Sequence, residues 1–120
     1  KPGTLAGNWF FGNARADSGS DWDKYLAFVH DNDDPSLSIV SIGGTISDPK
    51  TIKFKALEYG AVNRGFADVL PGAGIYCYGS ANASGSVLAE LVSRTRLKIE
   101  YRGESCSASS AFKNPHEYAR

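Results

Sequence analysis

The sequence contains no methionine, only two histidines and two cysteines, and no excess of charge of either sign. Its 13 basic and 13 acidic side chains give a formal net charge of zero. Such a balance does not favour the basic surface that binds nucleic-acid phosphates, so we expect no nucleic-acid partner. No apolar run approaches the roughly 18 residues of a membrane-spanning helix, so we expect no membrane span.

The two cysteines, Cys77 and Cys106, are the smallest number that can form a disulfide. Neither has the neighbouring Cys or His ligands of a zinc site, and Cys77 lacks the cationic setting of a reactive thiol. We therefore predict a structural disulfide and an oxidising compartment, so that the protein is secreted or periplasmic. Because methionine is absent, Lys1 is not a translational start, and we expect that a signal peptide was removed.

Alternation of apolar and polar residues is the main structural signal. It is cleanest in residues 96–102, where Leu97, Ile99 and Tyr101 share one face and charged residues occupy the other. Other strand candidates are 8–15, 25–30, 37–42, 51–56, 65–70 and 75–79. Turn-forming Gly, Pro and Asp separate them. Seven or eight short strands in one domain, residues 1–120, predict a mainly β fold, an antiparallel barrel or sandwich.

Two segments are not expected to be strands. Residues 84–94 predict one short helix, with a serine cap and an apolar stripe that would dock on the sheet. The stripe consists of Val87, Leu88, Leu91 and Val92. Residues 113–120 have little apolar content, and we expect this tail to fray.

Two stretches resemble known families. Leu5-Ala6-Gly7-Asn8-Trp9 resembles the Gly-x-Trp opening strand of calycin-type barrels (the lipocalins, avidins and small bacterial protease inhibitors), where the Trp closes one end of the barrel. The order from residue 75 to 112 is a strand with Cys77, a helix, a charged strand and Cys106. It is similar to the latter half of the B subunits of pentameric bacterial toxins. That likeness implies an OB-like, glycan-binding, virulence-associated protein that could form an oligomer.

Catalytic chemistry has few candidates in this sequence. A nucleophile needs a base and an orienting group, and only His30 and His116 could be that base. His30 ends an apolar strand beside Asp31, which together with Asp33 suggests the base and carboxylate of a small hydrolytic enzyme. The alternative, which we prefer, is a strand-end histidine that is hydrogen-bonded to the following turn.

Carboxylates cluster in two turns. One cluster lies at residues 17–23, and the other consists of Asp31, Asp33 and Asp34. Either could supply oxygen ligands to calcium, the one metal worth testing here. Aspartates also cap turns between strands, and we favour that role. We therefore expect no metal and no cofactor, with Asp31, Asp33 and Asp34 as a weak calcium candidate.

The aromatic residues indicate a binding surface. Trp22 lies in a polar turn beside Asp21. If Cys77 faces the core, Tyr76 and Tyr78 project from the opposite, exposed face of the same strand. Such side chains suit sugar rings or a protein partner. The alternative is that Trp22 covers a barrel mouth and the tyrosines are packed inside.

We therefore predict a non-enzymatic, secreted or periplasmic binding module. It would recognise a glycan or a protein through Trp22, Tyr76, Tyr78 and Asp21, and it could oligomerise through its edge strands. A second hypothesis, from the calycin resemblance, is an inhibitor that inserts its arm, residues 1–4, into an enzyme cleft. The third is the hydrolytic enzyme that uses His30.

Overall fold

The computed structural model describes residues 3–11, 25–43, 50–79, 85–104, 106, 111–113 and 115–120. Eight strands are found in this part of the chain. They are β1 (Gly7–Phe11), β2 (Tyr25–His30), β3 (Leu37–Ile42), β4 (Lys50–Lys55), β5 (Ile75–Gly79), β6 (Ser86–Ser93), β7 (Arg96–Arg102) and β8 (His116–Ala119). The one helical element among these residues is a 3-10 turn, Phe66–Asp68, and no helix there is long and apolar enough to cross a membrane.

The strands form a single antiparallel sheet that curls into a nearly closed barrel. The order is β4-β3-β2-β1-β8-β7-β6-β5, so every strand lies beside its sequence neighbour except at the gap between β4 and β5. This up-and-down connectivity differs from that of an OB fold, which is a five-stranded Greek key. The prediction of an antiparallel barrel or sandwich with seven or eight short strands is confirmed, as a barrel with eight strands, and its OB-like variant is wrong.

The barrel interior is the hydrophobic core. Side chains alternate between the two faces of a strand, so every second residue points inside. The buried cluster comprises Leu5, Trp9, Leu26, Phe28, Val40, Ile42, Ile52, Phe54, Phe66, Val69, Tyr78, Val87, Ala89, Leu91, Leu97, Ile99 and Tyr118. Each large side chain of this kind stabilises the fold by about 1.5–3 kcal/mol through burial.

The helix predicted for residues 84–94 is wrong, because residues 86–93 form β6. Val87, Ala89 and Leu91 face the interior, whereas Leu88 lies opposite Cys77 in the register and is buried on the outer face. A strand that is buried on both faces shows a continuous apolar run, which periodicity cannot separate from a buried helix. The likeness to the toxin B subunits depended on that helix and fails with it.

Two smaller predictions are also wrong. Residues 65–70 do not form a strand, since Phe66 begins the 3-10 turn and inserts its ring into the core. The tail does not fray at residues 116–119, which form β8 between β1 and β7. Tyr118 is buried in the core and lies opposite Leu97 in the register, which holds this otherwise polar strand in place.

The predicted disulfide between Cys77 and Cys106 is confirmed. It lies on the outer face of the sheet, because Tyr78, the next residue of β5, points into the core. The disulfide attaches the chain that follows β7 to the outside of β5. The Ser86 hydroxyl reinforces this attachment by donating to the Glu104 carbonyl over 2.8 Å.

Glu100 is a second attachment point on the same outer face. Its carboxylate accepts hydrogen bonds from the Arg102 guanidinium, over 2.5 Å, and from the Lys113 backbone N–H, over 2.9 Å. Arg102 also donates to the Ala111 carbonyl. A carboxylate that is only 7% exposed is therefore compensated by a cation and a backbone donor.

Candidate functional site

Tyr78, predicted to be an exposed contact residue, lies in the centre of the core. It is fully buried, and its ring centroid lies 6.0, 5.4 and 5.1 Å from those of Phe28, Phe54 and Phe66. Burial raises the pKa of its phenol above the usual range. The prediction was wrong because it assumed that Cys77 faces the core; the disulfide lies outside, so the tyrosine points inside.

The other three residues of the predicted binding surface are Tyr76, Trp22 and Asp21. Tyr76 is partly buried and packs against the core cluster. Trp22 and Asp21 lie outside the residues that the structure describes. The aromatic platform proposed from the sequence is therefore not formed by Tyr76 and Tyr78.

An exposed aromatic residue is present elsewhere, on the connection from β4 to β5. Tyr59 is 73% exposed, the most of any large hydrophobic side chain in the described ranges, and Leu57 is 40% exposed. We call residues 57–64 the crossover loop. Sequence analysis missed it, although an aromatic residue followed by glycine between two predicted strands was a signal that could have been followed.

The base of the crossover loop is closed by its own backbone. The Leu57 N–H donates to the Asn63 carbonyl over 2.7 Å, and the Gly65 N–H donates to the Leu57 carbonyl over 3.1 Å. The Arg64 guanidinium donates to the Gly60 carbonyl over 3.4 Å. These bonds bring the two ends of the loop together, with Tyr59 between them.

The same loop is attached to the barrel along the free edge of β5. The Cys77 N–H donates to the Ala61 carbonyl and the Asn63 N–H donates to the Cys77 carbonyl, both over 2.8 Å. The gap between β4 and β5 is therefore partly filled by the crossover loop. Because its backbone is bonded at both the base and the barrel, Tyr59 is presented from a fixed support.

The segment before β1 packs against the barrel beside Trp9. Trp9 is fully buried and donates from Nε1 to the Leu5 carbonyl over 3.1 Å. The Arg120 guanidinium lies 4.1 Å from the Trp9 ring centroid and donates to the carbonyls of Thr4 and Ala6. These contacts hold Trp9 between the segment that precedes β1 and the last residue of the sequence.

The same contacts bear on the arm that the inhibitor hypothesis requires. Thr4 is buried against the barrel rather than free to enter a cleft. The prediction that residues 1–4 form a free arm is therefore wrong at Thr4. Lys1 and Pro2 lie outside the described residues.

His30, the last residue of β2, is exposed and borders a cavity of about 260 Å³. Ser38, its partner in the register, and Asp68 of the 3-10 turn border the same cavity. In the described ranges the imidazole of His30 makes no hydrogen bond to any of these groups or to Asp31, so the nucleophile–base contact of a hydrolase is not found there. The second histidine, His116, packs edge-on against Phe11.

The acidic turn between β2 and β3 is held by its own carboxylates. Asp31 accepts from the Asp33 N–H over 3.1 Å and from Lys53 Nζ over 3.3 Å, and these bonds lower the pKa of its carboxyl. Asp34 accepts from the N–H and hydroxyl of Ser36.

The calcium site considered from the sequence would use Asp31, Asp33 and Asp34. Across the described ranges no three His, Cys, Asp or Glu side chains, Asp31, Asp33 and Asp34 included, are grouped so as to hold a metal ion. The carboxylates of residues 17–23 lie outside those ranges. The turn chemistry of Asp31 and Asp34 is that of caps.

The geometry therefore offers two features of functional interest: a braced loop with an exposed Tyr59, and a cavity at one end of the barrel. Comparison of the chain with protein-family models, with curated proteins and with solved structures finds no match to any of them.

Proposed function

We propose that this protein is a non-enzymatic binding module that works outside the cytoplasm, as a secreted or periplasmic protein, and recognises a protein surface through the crossover loop. The observation that carries the proposal is the 73% exposure of Tyr59 on a loop whose ends are hydrogen-bonded to each other and to β5. Tyrosine is enriched among the few residues that supply most of the binding energy of protein interfaces.

Rigidity supports this role. Binding costs about 0.5–1.5 kcal/mol for each mobile side chain that becomes ordered, so a loop that is already fixed loses less affinity. The backbone bonds at Leu57, Asn63 and Gly65 fix the loop before any partner arrives. Tyrosine adds a large contact area with only two side-chain torsions to restrict.

The composition of the loop favours a protein over a glycan. Leu57, which is 40% exposed, adds aliphatic surface beside the aromatic ring. The centres of protein interfaces are apolar and aromatic, with charged groups at the rim. The exposed Glu58 between the two apolar residues would supply such a rim contact.

The disulfide supports the extracytoplasmic assignment. Disulfides persist in secreted and periplasmic proteins, whereas the cytosol keeps most thiols reduced. The Cys77–Cys106 bond is a permanent part of the outer face, where it joins β5 to the chain after β7.

The test compares capture of partners by the oxidised wild-type protein and by Tyr59→Ala. Leu70→Ala is the matched control, because Leu70 is also exposed but lies outside the crossover loop. A protein from extracellular extracts should be retained by wild type and control and lost at least tenfold with Tyr59→Ala. The purified partner should then show the same ranking in a binding titration.

Two outcomes would overturn the proposal. In one, Tyr59→Ala retains the same proteins as wild type with unchanged affinity. In the other, a glycan array shows binding that depends on Tyr59 while no protein is captured, and the partner is then a sugar.

A further inference from the structure

The inward faces of β2 and β3 change character at one end of the barrel. Along β2 the inward series is Leu26, Phe28 and then His30; along β3 it begins with Ser38. Apolar residues fill the interior elsewhere, but here a histidine and a serine lie directly opposite each other. The cavity of about 260 Å³ opens at this position.

Small side chains leave the space of this cavity. Four of the residues that line the cavity have one carbon or none in the side chain: Ala6, Ala56, Gly65 and Ala67. Phe28 and Phe66 supply larger apolar surfaces, with their ring centroids 5.1 Å apart. The 3-10 turn carries both Phe66 and the cavity's one carboxylate, Asp68.

The Ser38 hydroxyl is the polar group that β3 contributes to this cavity. Ser38 is only 1% exposed and borders the cavity directly opposite His30 in the register. Buried hydroxyls in folded proteins are nearly always bonded to protein, water or ligand. Ser38 therefore offers a hydrogen-bonding group to a molecule that occupies the cavity.

We propose that this cavity binds a small neutral aromatic molecule that carries one hydroxyl group, with the ring against the phenylalanine and alanine side chains and the hydroxyl bonded to Ser38 and His30. The volume fits, since an apolar cavity of about 150 Å³ already holds benzene and this one leaves room for substituents. The charge fits as well. Asp68 disfavours an anion, and Arg64, 3.6 Å away, already pairs with that carboxylate and removes the need for a cation.

Water alone is the competing occupant. At about 30 Å³ per molecule the space would hold several waters, but each needs two to four polar partners. The phenylalanine and alanine side chains offer none, so most of those waters would be poorly bonded. An aromatic ring would displace them with little loss of hydrogen bonding.

The test titrates the full-length oxidised protein with 4-methylphenol and with toluene, which differs from it only by the hydroxyl. Wild-type protein should bind 4-methylphenol with a Kd of about 1 mM or tighter. Changes in the NMR chemical shifts of the residues that line the cavity measure this binding. Ser38→Ala should weaken 4-methylphenol about five- to tenfold and leave toluene unchanged. Ala56→Leu, which fills the cavity, should weaken both at least tenfold, and Ala73→Leu in an exposed turn should change neither.

Ala67→Leu provides a second filling variant in case Ala56→Leu does not fold. Failure of wild type to bind either compound would overturn the proposal, as would unchanged binding after the cavity is filled; the space would then hold water only. Equal loss of both compounds in Ser38→Ala would also contradict it, because the hydroxyl would then have no specific role. None of these outcomes depends on Tyr59 or on a protein partner, so this proposal and the proposed function can fail independently.

Discussion

The side chain of Asn63 forms a two-bond bridge with the backbone of Gly79. Its Nδ2 donates to the Gly79 carbonyl and its Oδ1 accepts from the Gly79 N–H, each over 2.9 Å. Asn63 thus mimics a neighbouring strand on the free edge of β5, where the barrel is not closed by β4. Its φ of 55° is left-handed, a conformation that asparagine tolerates better than most residues.

This bridge predicts the effect of Asn63→Ala. The substitution removes two hydrogen bonds and places alanine at a positive φ, so the free energy of unfolding should fall by about 2–3 kcal/mol. Chemical denaturation measures the loss, and amide exchange should rise in residues 57–64. Asn32→Ala in an exposed turn is the control and should change stability by less than about 0.5 kcal/mol. An unchanged exchange rate in the loop would show that Asn63 does not hold it.

Removal of the Tyr78 hydroxyl should stabilise the protein. The phenol oxygen is buried and has no hydrogen-bond partner among the described residues. Tyr78→Phe keeps the ring contacts with Phe28, Phe54 and Phe66 and should raise the free energy of unfolding by about 1–2 kcal/mol. Tyr59→Phe, at an exposed position, should be neutral. A loss of stability in Tyr78→Phe would mean that the hydroxyl has a bound partner.

The buried Glu100 carboxylate should be more important for stability than an exposed one. Glu100→Gln weakens the charge-assisted bonds from Arg102 and from the Lys113 N–H, and should cost about 2–3 kcal/mol. Glu117→Gln on the exposed side of β8 is the matched control and should cost little. Equal stability of the two variants, measured by thermal unfolding, would contradict this role for Glu100.

Stability should decrease in acid partly because of Asp31. The Asp33 N–H and Lys53 lower the pKa of this carboxyl in the folded state. A carboxyl with a lower pKa in the folded state stabilises that state at pH values above its unfolded pKa of about 3.9. This stabilisation is lost as the pH falls through the lower pKa of the folded state. Asp31→Asn should therefore flatten the stability profile below about pH 4. Asp33→Asn, in the same turn, serves as the control, and an identical acid limb in Asp31→Asn and wild type would exclude the effect.

Loss of the disulfide should be costly. Replacement of Cys77 and Cys106 by alanine should lower the free energy of unfolding by about 2–5 kcal/mol, the range for native disulfides of small domains. Mass spectrometry without reductant should find both thiols oxidised in wild type. If both thiols were free, there would be no disulfide, and the proposal of an extracytoplasmic location would be overturned.

The strand pattern was predictable wherever one face of the strand is polar or its ends carry turn residues. The bounds of β2, β3, β5 and β7 agree with the prediction residue for residue. Alternation or an apolar run between turn signals was sufficient there. The strand β6 was misread because Leu88, which lies opposite Cys77 in the register, is buried on the outer face.

The candidate sites were much less predictable. The sequence indicated that Tyr76 and Tyr78 share a face opposite Cys77, but which face is the interior is decided by where the disulfide lies. Tyr59 is exposed because the crossover loop fills the gap between β4 and β5, and that gap is a property of the closed barrel. The cavity likewise requires His30, Ser38 and Asp68 to meet from three separate segments.

The pairing of β1 with β8 has a consequence for how the chain folds. Phe10 lies opposite Ala119, so the barrel cannot shut until residues from its two extremes have met. Such a distant contact is formed late and slowly. Until then the edges of β1 and β7 have unpaired backbone groups that can recruit a strand from another molecule. A chain that ends before residue 116 lacks β8, so the edges of β1 and β7 would stay unpaired. We expect such a chain to aggregate rather than fold.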